Sequence, residues 1–149
     1  MEIYKHGLEK IKTVGDAYMC AGGLTDSDSN NAHKMIAAAI EIAEFVKESK
    51  KNDPDDMTRF DIRIGINTGP VVAGVVGKKK FAYDIWGDTV NTASRMESNS
   101  EPGRINVSEA TYKLIEDQYR CSYRGEIEAK NKGMMKMYFV EGTIEKEKT

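Results

Sequence analysis

The segment that most restricts the fold is residues 60–66, where Phe60, Ile62, Ile64 and Ile66 alternate with Asp61, Arg63 and Gly65. Side chains along a strand point to opposite faces in turn, so this period of two puts four large apolar groups on one face that must be covered. A cover precedes it in the chain. From Asn30 to about Lys50 the apolar residues Met35, Ile36, Ile40, Ala43, Phe45 and Val46 recur at helical spacing, after a cluster of Asp, Ser and Asn that can cap a helix start. Lys50-Lys51-Asn52-Asp53-Pro54-Asp55-Asp56 is a solvated break between this helix and the strand.

The same reading extends over the rest of the chain. Residues 9–14 and 17–20 are short strand-like runs separated by Gly15-Asp16, a dipeptide suited to a tight hairpin with Asp16 at its tip. Residues 71–76, between Gly69-Pro70 and Gly77, and residues 81–86 form a second hairpin, whose Lys78-Lys79-Lys80 tip is a solvated charge run. Asp88 is placed to cap a helix over residues 89–98, and Pro102-Gly103 punctuates the chain before a strand at 104–107. Ser108 caps a further short helix through Ile115. Residues 119–129 and 134–141 read as two strands joined by the turn Lys130-Asn131-Lys132-Gly133. Residues 1–142 make one domain, and 143–149 are a charged tail. This order of elements predicts an α+β sheet with helices packed on one face.

Composition removes some functions from consideration. Although 31% of residues are charged, 22 Lys+Arg against 24 Asp+Glu leave a net charge of -2, so no global field recruits a polyanion and no nucleic-acid partner is expected. Cys20 and Cys121 are too few for a disulfide framework or a zinc cluster and read as inert core thiols in a reducing interior. The longest apolar stretches, at 37–40 and 70–73, fall far short of the ~20 residues of a membrane span. The N-terminus has no signal-peptide character. A cytoplasmic domain without direct membrane contact is expected, although a longer protein could carry membrane parts elsewhere.

No single position declares a chemistry. Asp16 at a hairpin tip is an ordinary turn residue. Asn91 and Arg95, four apart on a helix, share one face, as many surface pairs do. Lys12 and Asp84 each alternate with apolar neighbours in a strand, where an isolated charge ordinarily faces solvent.

Their combination is more informative. The run Glu9-Lys10-Ile11-Lys12-Thr13-Val14-Gly15-Asp16-Ala17-Tyr18-Met19 resembles the first catalytic hairpin of class III adenylyl and guanylyl cyclases. Phe60-Asp61-Ile62-Arg63-Ile64-Gly65-Ile66-Asn67-Thr68-Gly69-Pro70-Val71-Val72-Ala73-Gly74 is similar to the family's next block. Tyr83-Asp84-Ile85-Trp86-Gly87-Asp88-Thr89-Val90-Asn91-Thr92-Ala93-Ser94-Arg95-Met96-Glu97 resembles the one after it. Arg124-Gly125, Lys130-Asn131-Lys132-Gly133 and Tyr138-Phe139-Val140 resemble its closing hairpin, so four ordered blocks cover about residues 2–142.

The resemblance implies a ferredoxin-like α+β domain that makes 3′,5′-cyclic AMP and pyrophosphate from ATP. Asp16 matches the second of two aspartates that hold two divalent cations, Mg²⁺ or Mn²⁺, at the triphosphate; hard oxygen ligands suit such ions. Asn91 matches the residue that orients the ribose, and Arg95 the one that stabilises charge developing on the α-phosphate. Lys130 matches a lysine that contacts the terminal phosphates, with Asn131 where the family more often has glycine and Lys132 near enough to share the role.

Hydrogen-bond logic bears on the purine at the positions the resemblance singles out. Adenine offers an N1 acceptor and an N6 donor, whereas guanine offers an O6 acceptor with N1 and N2 donors. Lys12 only donates and ionised Asp84 only accepts, so the pair complements adenine. Guanylyl members of the family carry glutamate and cysteine there but are otherwise similar, which keeps GTP as the alternative substrate. In the family the aspartates come from one subunit and the asparagine and arginine from the other. A chain holding Asp16, Asn91 and Arg95 therefore looks like a homodimer with two shared active sites.

Nothing in the chain matches the family's opening strand with its first metal aspartate; Glu2-Ile3-Tyr4-Lys5-His6-Gly7-Leu8 resembles the end of the helix that follows. An N-terminally truncated domain with negligible turnover on its own is the expectation. A catalytically dead nucleotide-binding or dimerisation module is the competing one.

Overall fold

A computed structural model describes residues 8–14, 17–23, 30–52, 62–77, 82–129 and 133–144. In chain order the elements are β1 (Glu9–Val14), β2 (Ala17–Ala21), α1 (Asn31–Asn52), β3 (Ile64–Ile66), β4 (Val72–Val76), β5 (Ala82–Trp86), α2 (Asp88–Ser98), β6 (Ile105–Ser108), α3 (Glu109–Ile115), β7 (Tyr119–Ala129) and β8 (Gly133–Thr143). The fold is α+β. The expected tips at Gly15-Asp16 and Lys78-Lys79-Lys80, the turn residues 130–132 and the tail 145–149 lie outside the described residues.

Among the described residues, a four-stranded sheet runs in the order β3-β6-β8-β7. β3 and β6 are parallel, and the other pairings are antiparallel. β1–β2 and β4–β5 form two separate antiparallel ribbons, with β1 lying against β5. All four residues of β6 are buried, so both faces of the sheet are covered there. Ile105 and Val107 belong to a core with Ala32, Ile36 and Ala39 of α1, Ile66, Ile115, Tyr119 and Val140. On the same face Tyr112 of α3 stacks on Tyr138 of β8 at 3.9 Å between ring centroids.

The alternate residues of these strands face α2. Asn106 touches Met96, and Gly65, its register partner, lies directly under the helix backbone. One-sided layering therefore describes α1 and α3, while α2 takes the other side of β3 and β6. A glycine is what allows it to come so close: a Cβ on Gly65 would stand 1.9 Å from the Glu97 nitrogen.

Three local expectations shift. Residues 60–61 of the alternating run lie outside the described residues; within 62–66 the ladder begins at Ile64, because Ile62 lies opposite the Pro102-Gly103 turn. Gly103 has φ +77°, and its amide takes the Ile62 carbonyl at 2.7 Å. Asp88 is the first residue of α2 and not its cap; Gly87, with φ +121°, is the cap. The chain turns from β5 into the helix within one residue, and only glycine adopts that backbone cheaply. Asp88 still places a carboxylate in the first turn, where the helix dipole favours it. Finally, Phe45 is 70% exposed, because the buried residues of α1 (Ala32, Ile36, Ala38, Ala39) all fall in its first half. Ser108 caps α3 as expected, accepting from the Thr111 amide.

Candidate active site

The site is organised around α2. Thr92 and Met96 are its buried residues, and Asn91 and Arg95 stand one residue earlier, a turn of about 100° around the helix. They form an exposed stripe beside the buried one. The Arg95 guanidinium donates to the Glu128 carbonyl near the end of β7. With Asn99 and Ile127, these two residues line an open cleft of about 510 Å³. Binding one N–H to a fixed carbonyl orients the guanidinium and leaves its remaining donors for a ligand. Arg124 on β7 donates to the Asn99 carbonyl at 2.7 Å, tying the C-terminal end of the same helix to the same strand.

The other end of the helix is tied to the loop after β3. Asn67 Nδ2 donates to the Thr89 carbonyl at 3.1 Å, and the Thr89 hydroxyl donates to the Pro70 carbonyl at 2.6 Å. Asn67 Oδ1 in turn accepts from the Ser108 hydroxyl of β6.

Asp84 lies in β5, which leads through Gly87 directly into α2. Its half-buried carboxylate accepts from the Ile85 amide at 2.8 Å through Oδ1. Lys12 lies in β1, paired with Met19 of β2, and β1 lies against β5, so the strands carrying the two base-contact candidates are neighbours. The structure thus brings together the elements of Lys12, Asp84, Asn91 and Arg95. Asp16 and Lys130 lie outside the described residues; Lys130 follows Glu128 by two positions in the chain.

Among the described residues, no group of three or more His, Cys, Asp or Glu gathers to hold a metal ion. These residues by themselves do not fit a divalent-cation site. The expectation of Mg²⁺ or Mn²⁺ rests on Asp16, which lies outside the described residues. Neither cysteine is activated. Burial raises both thiols, and Cys121, with Glu141 and Glu116 adding to the effect, is pushed up to about 11.

Sequence reasoning missed Asn67, Asn106, Arg124 and the Glu128 carbonyl. The one available signal was Asn106 itself, an amide in the apolar run Ile105-Asn106-Val107, where strand propensity disfavours it.

Comparison with known proteins gives a consistent result. The family described as the adenylate and guanylate cyclase catalytic domain matches residues 2–142. An adenylate cyclase of Mycobacterium tuberculosis is 40% identical over 138 residues, covering 93% of this chain. The match spans 30% of that relative's length. A crystal structure of a guanylate cyclase domain from Catenaria anguillulae in complex with GTP superposes with a TM-score of 0.83 at 36% identity, covering 96% of this chain and 77% of that one. A non-canonical dimeric guanylyl cyclase domain from the aquatic fungus Blastocladiella emersonii gives 0.81 at 34% identity, covering 96% and 76%. Among the described residues, no helix is long and apolar enough to cross a membrane.

Proposed function

The chain belongs to the adenylate and guanylate cyclase catalytic-domain family, and from that premise we propose that it forms 3′,5′-cyclic AMP and pyrophosphate from ATP, at sites shared between two copies. The observation that carries this reading is the exposed stripe of Asn91 and Arg95, with Arg95 anchored on β7 and the Asp84 strand feeding directly into the same helix.

In this reaction the ribose 3′-oxygen loses its proton and attacks the α-phosphorus, and the bond to the β-phosphate bridge breaks. Negative charge grows on the α-phosphoryl oxygens as this happens. The free N–H groups of Arg95 serve that charge, since a pre-oriented guanidinium needs no reorganisation when the charge appears. Asn91, one turn before it, holds the ribose so that the 3′-oxygen lies in line with the leaving group. Lys130 neutralises the departing phosphates.

Base choice follows from Asp84 and Lys12. The ionised carboxylate of Asp84 is an acceptor suited to adenine N6, and the Lys12 ammonium is a donor suited to N1. Guanylate cyclases among the relatives make GTP the second reading. A second copy is supported by the dimeric relative and by the β4–β5 ribbon, where Val72, 67% exposed, is the cross-strand partner of Trp86, 38% exposed. Apolar groups grouped in that way ordinarily find a protein partner.

The test is a specificity exchange in the full natural polypeptide. Lys12→Glu combined with Asp84→Cys inverts both hydrogen-bond polarities and should move the kcat/KM preference from ATP toward GTP. If the double variant loses both activities without changing their ratio, the two residues do not choose the base.

A further inference from the structure

One fully buried amide beside the site has no place in the nucleotide chemistry. Asn106 is 0% exposed in the middle of β6, a position where an aliphatic side chain would be ordinary. Its Nδ2 donates to the Met96 carbonyl at 2.9 Å and lies near the sulphurs of Met96 and Met137, while its Oδ1 has no hydrogen-bond partner. A buried acceptor left unmatched is destabilising, so this amide weakens the core unless its single good bond does something else.

That bond falls where α2 would otherwise be loosest. In a regular helix the Met96 carbonyl would accept from the Ser100 amide, but the last turn tightens and Ser100 bonds to Glu97 at 3.0 Å instead. Asn106 takes the carbonyl thus released, on the residue next to Arg95. At the other end Asn67 holds the Thr89 carbonyl. The two anchored carbonyls are seven residues apart, about two turns, and Asn91 and Arg95 both lie between them. Gly65 lets the helix backbone down onto the sheet at the same place, so its depth and its rotation are both fixed.

We infer that Asn106, together with Asn67, is a positioning residue for the nucleotide-facing helix: the two side-chain amides clamp α2 to β6 and to the end of β3, and so hold Arg95 and Asn91 at the reacting phosphate and ribose. The inference rests on the functional reading above for the roles of Arg95 and Asn91. A displacement of about an ångström at such groups is enough to cost turnover without removing the substrate's binding contacts.

The experiment is a double-mutant cycle on cyclase turnover and thermal stability in the full natural polypeptide, using Asn106→Leu and Arg95→Ala. Leucine is close in size; it removes the unmatched oxygen but also takes the partner from the Met96 carbonyl, so the two effects offset and the midpoint of thermal unfolding should stay near the parent's while kcat falls roughly tenfold and KM stays within about twofold. In the Arg95→Ala background the same change should cost less than about twofold, because the group it positions is gone. An equal loss in both backgrounds, or kcat and stability falling together, would overturn the clamp while leaving the functional reading intact. Should Arg95→Ala itself leave turnover untouched, the functional reading fails and takes the clamp with it. If Asn106→Leu does not fold, Asn67→Ala enters the same cycle, with the same results for and against.

Discussion

Arg95 shows how far single residues could be read. Its type and its four-residue spacing from Asn91 were visible in the sequence, because helical geometry fixes which side chains share a face. Its anchor was not. The Glu128 carbonyl belongs to a strand 33 residues away and carries no side-chain signature. The same holds for the Asn106–Met96 and Asn67–Thr89 contacts, each a side chain meeting a distant backbone oxygen. The thiols were legible, since neither cysteine had neighbours that could activate it. Cys121, pushed up to about 11 by burial and then by Glu141 and Glu116, yields a pH prediction. The unfolded thiol ionises near 9.0, the folded one only near 11. Its contribution to stability is thus present below about pH 9 and disappears as pH rises through 11. Alkylation of the native protein at pH 8 should leave Cys121 slower than a free cysteine; a rate equal to that of free thiol would contradict the assigned burial.

At the scale of elements, periodicity and punctuation located most helices and strands to within a residue or two. The helix expected over 30–50 is Asn31–Asn52, and the strand expected over 134–141 is Gly133–Thr143. The departures have local causes that lie in pairing. β3 is short because the chain opposite its start is a turn, and α2 is capped by Gly87 because the strand-to-helix corner demands a positive φ. Gly65 was legible only as an alternating residue of a strand. Its role is to let α2 settle on the sheet. Gly65→Ala should therefore be destabilising by about 1–3 kcal/mol through overpacking, because the added carbon meets the backbone of Met96 and Glu97, which cannot rotate away. It should also lower cyclase turnover by displacing Arg95. Thermal unfolding indistinguishable from the parent would mean that the helix does not approach as closely as described.

For the whole molecule, the α+β class followed from the order of elements, whereas the sheet order did not. Parallel pairing of β3 with β6 and antiparallel pairing of β6 with β8 join segments about 30 to 40 residues apart, and no local pattern encodes which strand is chosen. The match to the family covers residues 2–142, so the likeness that was legible in four blocks extends over nearly the whole chain. Similarity to both adenylate and guanylate cyclases leaves the purine as the point on which the account is most exposed. The direct measurement compares kcat/KM for cyclic AMP formation from ATP with that for cyclic GMP formation from GTP, on one preparation of the full natural polypeptide with Mg²⁺ and then Mn²⁺ in excess. A clear preference for ATP with either ion is the predicted result, since Lys12 only donates and Asp84 only accepts. Equal use of the two nucleotides, or a preference for GTP, would contradict it.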